Sequence, residues 1–150
     1  MIDYNDQFLE LYTLNLNLLK QELNAYTDEA NIWKVGGSVS NSAGNLTLHL
    51  IGNLNHFYGA TLGETGFVRD RDSEFSSKGI ARAVLIDELD KTIAMMALVH
   101  EQLTNDDMDK TFPLKKGDKE VPTIHFMIHL YGHFTYHLGQ INYHRRLLDK

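Results

Sequence analysis

An all-α fold, a four-helix bundle, is predicted for this chain by three observations. Four long segments carry apolar residues at helical spacing, the stretches between them gather Gly, Ser, Asn and charge, and the two prolines interrupt none of the four. Amphipathic helices of this number and length bury their apolar stripes best by packing antiparallel on one another. At 150 residues and 43% hydrophobic, the chain can build one domain, residues 1–150, with a core that needs no covalent staples.

The first helix is expected from about Asp6 to Leu23, with Phe8, Leu11, Tyr12, Leu14, Leu18 and Leu19 as its apolar face and Asp3 or Asn5 as its cap. After Trp33, the run Gly36 to Ser42 reads as a loop ending in capping residues, and a second helix follows from about Ala43 to Leu62. A third begins after Ser76 and Ser77 and carries Ile80, Ala83, Val84, Ile86, Leu89, Ile93, Met96 and Val99 toward Leu103. The fourth opens near Pro122, a residue tolerated in a first turn, and runs to about Leu148. Between Lys110 and Val121, Pro113, Gly117 and a charged run mark a loop or hairpin with room for short β pieces.

Composition removes several function classes. Without cysteine there is no disulfide, no thiolate metal ligand and no cysteine nucleophile, so thiol chemistry would need a thiol from a small cosubstrate. A formal charge of −6 argues against a general affinity for nucleic acid. Met1 to Asp6 lacks the basic start and apolar run of a signal peptide, and no apolar stretch approaches the roughly 18 residues of a membrane span, so a cytoplasmic location is expected.

The residues that carry chemistry are histidines. His133 and His137 stand four apart in the fourth helix, on one face and close enough to bind one ion together. His125 and His129 continue the ladder but drift toward the opposite face, and are read as exposed or loop-contacting. His144 stays in the sector of His137 and competes with it, although its place near the helix end beside Arg145 and Arg146 counts against it. In the second helix His49, Asn53 and His56 line the edge of an arc made by Leu46, Leu50, Leu54, Phe57 and Tyr58. Spacing alone does not choose between His49 and His56.

Three stretches resemble the DinB/YfiT-like superfamily of metal-dependent four-helix-bundle proteins, over most of the chain: Leu48 to Leu54 around His49, Arg69 to Phe75, and His133 to Ile141. The last, His133-Phe134-Thr135-Tyr136-His137-Leu138-Gly139-Gln140-Ile141, is the most specific. The resemblance implies that His49, His133 and His137 are the three metal ligands, in an up-down-down-up bundle that often forms a homodimer. Three neutral imidazoles suit a divalent transition ion, zinc or nickel, and leave positions open for water or substrate. Gln140 and Asn53 are candidates to orient a ligand ring or a bound water.

Function follows as an expectation from the resemblance. It implies a metal-dependent enzyme that transfers a low-molecular-weight thiol such as bacillithiol or mycothiol to a small-molecule substrate. A noncatalytic, stress-related metal or small-ligand binding protein, or a hydrolase using a metal-activated water, are the alternatives. Arg69 or Arg71 could hold an anionic substrate, although mutual pairing within Arg69 to Glu74 is the favoured reading. Asp106 to Asp109 lacks the calcium-loop pattern and is expected to be a solvated loop, and Gly36 to Ser40 matches neither a nucleophile elbow nor a phosphate loop.

Overall fold

The computed structural model describes residues 3–150, so Met1 and Ile2, with the part of the N-terminal reading that falls on them, lie outside the described residues. Six α-helices follow one another: α1 (Tyr4–Asn24), α2 (Ala43–Leu54), α3 (Arg71–Ser76), α4 (Arg82–His100), α5 (Asn105–Asp109) and α6 (Thr123–Leu148). The last residues of the second expected helix, Asn55–Leu62, continue α2 as a π-helix, and a 3₁₀ turn occupies Glu29–Trp33. The four long elements are those the apolar spacing predicts. Both α1 and α2 pack against α4 and α6.

Asp3 caps α1 by accepting from the amides of Asn5 and Asp6 at 2.9 and 3.5 Å. The buried stripe of α1 is Tyr12, Leu16, Leu19 and Leu23, whereas Leu11, Leu14 and Leu18 are exposed. This corrects the expected face. Leucines lie on most sides of α1, so periodicity within it is ambiguous, and contact with α4 and α6 decides which stripe is covered. Tyr12 fixes the α1–α6 contact by donating its hydroxyl to the Met127 carbonyl at 2.8 Å.

The third expected helix begins later than the apolar spacing predicts, at Arg82, and a separate short helix, α3, precedes it. Gly79 adopts φ +68°, a left-handed conformation that no helix accommodates, and it separates α3 from α4. Ile80 therefore stands before α4 rather than in it. With no side-chain cap of its own, α4 receives one from a distance: the Arg82 amide donates to Glu29 Oε1 at 2.7 Å. Its buried residues include Leu85, Leu89, Met96 and Val99, while Val84 is exposed. The acidic run from Asp106 is helical rather than a loop, because Thr104 and Asp107 form a reciprocal capping box at the start of α5. Residues 110–122 form a hairpin-like excursion with isolated bridges at Thr111–Pro122 and Lys116–Lys119, and no strand among the described residues. Phe112 anchors it, stacked on Phe126 with ring centroids 3.8 Å apart.

Unlike its partners, α2 is buried almost all round, with only Leu48 half-buried. Such a helix must satisfy its polar side chains internally. Asn45 does so by donating to the carbonyls of Glu74 and Ser77 at 3.0 and 2.8 Å, which ties α3 across α2. Gly44 leaves space for the Trp33 ring and Gly52 for the Glu74 side chain. Among the described residues, no helix is long and apolar enough to cross a membrane.

Beyond the end of α2, Tyr58 stacks on His100, with centroids 5.4 Å apart and planes at 26°. Burial pushes the His100 imidazole down from its ordinary 6.5 to about 4. Between those values the unfolded chain binds the proton and the folded chain does not, so stability rises with pH there and is lost as pH falls from about 6.5 to about 4. His100→Phe, which keeps the stack, is expected to remove on the order of 2 kcal/mol of that pH dependence. Thermal unfolding across this pH range measures it; parallel curves for the two proteins would contradict the assignment.

Candidate metal centre

Helical geometry brings His133 and His137 together, and the packing of α2 on α6 adds His49. His133 Nε2 lies 3.1 Å from Nε2 of His49 and 3.1 Å from Nε2 of His137. Two nitrogens about 2.0–2.1 Å from one tetrahedral ion are about 3.3 Å apart, so this spacing is that of ligands around a shared centre. His56 lies outside the group, its ring against Phe57. His144 is committed elsewhere, with Nδ1 2.7 Å from the Tyr26 hydroxyl and Nε2 2.8 Å from the Lys34 carbonyl. His125 and His129 are exposed.

The proton positions on the three rings fit a shared cation. His49 Nδ1 faces Glu74 Oε2 at 2.9 Å, and a carboxylate accepts, so Nδ1 carries the proton and Nε2 the lone pair. His137 Nδ1 faces the Gln140 amide oxygen at 2.6 Å, with the same consequence for its Nε2. His133 Nε2 therefore meets two bare lone pairs, and a single proton satisfies one of them. A cation satisfies all three. His133 Nδ1 is buried with no hydrogen-bond partner among the described residues. Burial, followed by the facing rings of His137 and His49, pushes His133 down to about 4, and burial outweighs Glu74 in lowering His49. Neutral imidazole is the form that binds metal.

The elements behind His49 are built for this orientation. Glu74 is buried on α3 and receives Arg69 through Nε at 2.6 Å and Nη2 at 3.0 Å. The expected pairing within Arg69 to Glu74 is present, and its purpose extends to His49. A Cβ at Gly52 would run into the Glu74 carboxyl group, so glycine is needed there for Glu74 to reach the ring. On the other side Phe75 packs against His49 with centroids 5.0 Å apart. Sequence reasoning did not single out Glu74 as the partner of His49. Its available signal was Gly52, three residues after His49 on the same face, since a glycine inside a helix costs about 1 kcal/mol and marks a close approach.

Of the two orienting candidates, Gln140 holds His137, while Asn53 lines a cleft that opens over His49 and His133. The run from Gly36 to Ser40 forms a turn with Gly37 at φ +58°. The arrangement as a whole offers three converging neutral nitrogens, each of two oriented from behind by an acceptor, beside an open cleft. It could hold a metal ion with room for a further ligand.

Comparison with known proteins agrees with this architecture. The family described as "Protein of unknown function (DUF1572)" matches residues 3–150. A crystal structure of a DinB-like protein from Bacillus cereus ATCC 10987 superposes with a TM-score of 0.71 over 95% of this chain and 91% of that one, at 16% identity. No curated protein matches the sequence.

Because Glu74 orients and polarises His49, Glu74→Gln is expected to weaken divalent-metal affinity by about 10- to 100-fold with helicity retained. Gly52→Ala should act in the same direction by displacing the carboxylate. Competition with a chromophoric chelator reads both, and unchanged affinity in Glu74→Gln would detach Glu74 from the site.

Proposed function

This chain belongs to the DUF1572 family and has the DinB-like fold, and on that premise we propose that it binds a divalent transition metal, zinc or nickel, through His49, His133 and His137 and transfers a low-molecular-weight thiol of the bacillithiol type to a small electrophile. The observation that carries the metal reading is the pair of 3.1 Å contacts at His133 Nε2, which protons alone do not satisfy. The finer step, thiol transfer, is supported by the open cleft beside the three nitrogens and by a chain that has no cysteine of its own to compete for the metal.

When bound, the metal supplies Lewis acidity that favours thiolate over thiol at neutral pH. The remaining work falls to the protein. Glu74 and Gln140 keep the protons of His49 and His137 on Nδ1, so both Nε2 lone pairs stay directed inward. Phe57, Phe126 and Leu130 line the cleft and offer an apolar surface beside the three nitrogens. In the transfer itself the thiol proton leaves to solvent, a sulfur–carbon bond forms, and the leaving group departs with its electron pair. The homodimer belongs to the same proposal: Leu11, Leu14 and Leu18 leave an exposed apolar stripe on α1 suited to a second copy, and a monomeric mass in sedimentation would remove it.

Purified protein is expected to hold about one divalent transition metal per chain, and a His133→Ala, His137→Ala double variant to lose it. Metal analysis decides this, and an unchanged content would take these residues out of the site. Metal-loaded protein is expected to conjugate bacillithiol to a small electrophile faster than apoprotein, a gain that His137→Ala abolishes while the protein stays helical. Equal rates for all three proteins across several thiols would end the transfer reading and leave hydrolysis or simple binding.

A further inference from the structure

The cleft over His49 and His133 has a volume of about 370 Å³, within the range of small-molecule sites. Four cationic side chains line it, Arg69, Arg71, Lys115 and Lys116, and no carboxylate does. In a chain of net charge −6 that is a local reversal of sign. Arg69 is already committed to Glu74. The other three are not so committed. Arg71 is held at the rim by its guanidinium, 5.3 Å above the Phe75 ring, the same ring that packs on His49. Lys115 has only a 3.9 Å approach to Glu120 between two exposed side chains. The ion pairs among the described residues leave Arg71 and Lys116 without a carboxylate.

The hairpin that carries both lysines is set over the cleft by its backbone, through the Lys116 amide to the Lys119 carbonyl at 2.9 Å and the Phe112 amide to the Val121 carbonyl at 2.9 Å. Beneath it, Phe57, Phe126 and Leu130 give the cleft an apolar wall. Cations and hydrocarbon lining one cleft define a complementary ligand: an anionic group joined to an apolar body. Enclosure between low-dielectric walls strengthens the field of such cations toward an incoming anion.

We propose that this cleft selects an organic anion, with its charged group toward Arg71, Lys115 and Lys116 and its apolar body on Phe57, Phe126 and Leu130. That the occupant is a reactant rests on the proposed thiol transfer; its binding does not. The cleft thereby names the chemistry of the electrophile, a small apolar molecule that bears a carboxylate, phosphonate or phosphate group. The guanidinium contributes a planar, two-pronged donor and the lysines two point charges, a combination that accepts any of these oxyanions.

Calorimetric titration with phenylphosphonate, inorganic phosphate and benzyl alcohol tests the proposal, on metal-loaded and on chelator-treated full-length protein. The wild type is expected to bind phenylphosphonate about tenfold more tightly than either other probe, in both metal states. An Arg71→Gln, Lys115→Gln, Lys116→Gln triple variant, changed only at exposed positions, is expected to lose about tenfold of that affinity in both states while keeping its metal content and helicity. Wild-type-like binding of phenylphosphonate by the triple variant overturns the proposal. So does benzyl alcohol or phosphate binding as tightly as phenylphosphonate, or an affinity that disappears altogether without metal. The expected binding pattern in a protein that transfers no thiol would uphold the anion cleft and remove the transfer reading alone.

Discussion

A buried carboxylate imposes the constraint to which the rest of the site answers. Removing Glu74 from water costs several kcal/mol unless its oxygens are fully engaged. Here both oxygens accept from Arg69, and one of them also faces His49. Meeting that demand fixes the positions of three separate segments. The helix α2 must carry glycine at 52, α3 must be tied down by Asn45, and the loop before α3 must deliver Arg69. The imidazole of His49 inherits the precision of the whole arrangement. Had Glu74 been free in solvent, its hold on the ring would be screened and its geometry averaged.

The two sides of the site are built by different means. On α6 a single helix supplies both imidazoles and the amide that orients one of them, so local geometry suffices and the spacing of His133, His137 and Gln140 already contains it. On α2 the histidine depends on residues from α3 and the preceding loop, twenty or more positions away in sequence. The first arrangement forms wherever a helix forms. The second forms only when the bundle closes, so the completed group of three is a product of tertiary packing.

That division also marks how much could be read from the residues in order. The four long helices and the pairing of His133 with His137 were legible, because both depend on period. The choice of His49 over His56 came from family resemblance, since both lie on the edge of the same helical arc; the structure separates them by bringing His49 to α6 and leaving His56 against Phe57. The buried stripe of α1 was misread because leucines occur on competing faces. The short helix α3, the later start of α4 after Gly79 and the short helix at Asn105 were missed because each turns on a single backbone conformation or a local cap rather than on a repeat. Glu74 was assigned to a charge pair, which it makes, but burial decides its second role, and burial is a property of the folded chain.

The hairpin at residues 110–122 stands apart from all of these dependences. It is clamped at its base by the Phe112–Phe126 stack and by the amide of Thr123 on the Lys110 carbonyl at 2.8 Å, while Lys115, Lys116 and Gly117 at its far end contribute nothing to the buried core. On the proposed reading of the cleft, recognition and folding are encoded in separable stretches of the chain. A hairpin of different length or charge could be exchanged between the same two anchor points as a cassette, re-aiming the site toward new small molecules at little cost to the bundle, and such insertion points are where a fold of this kind has the greatest freedom to diversify.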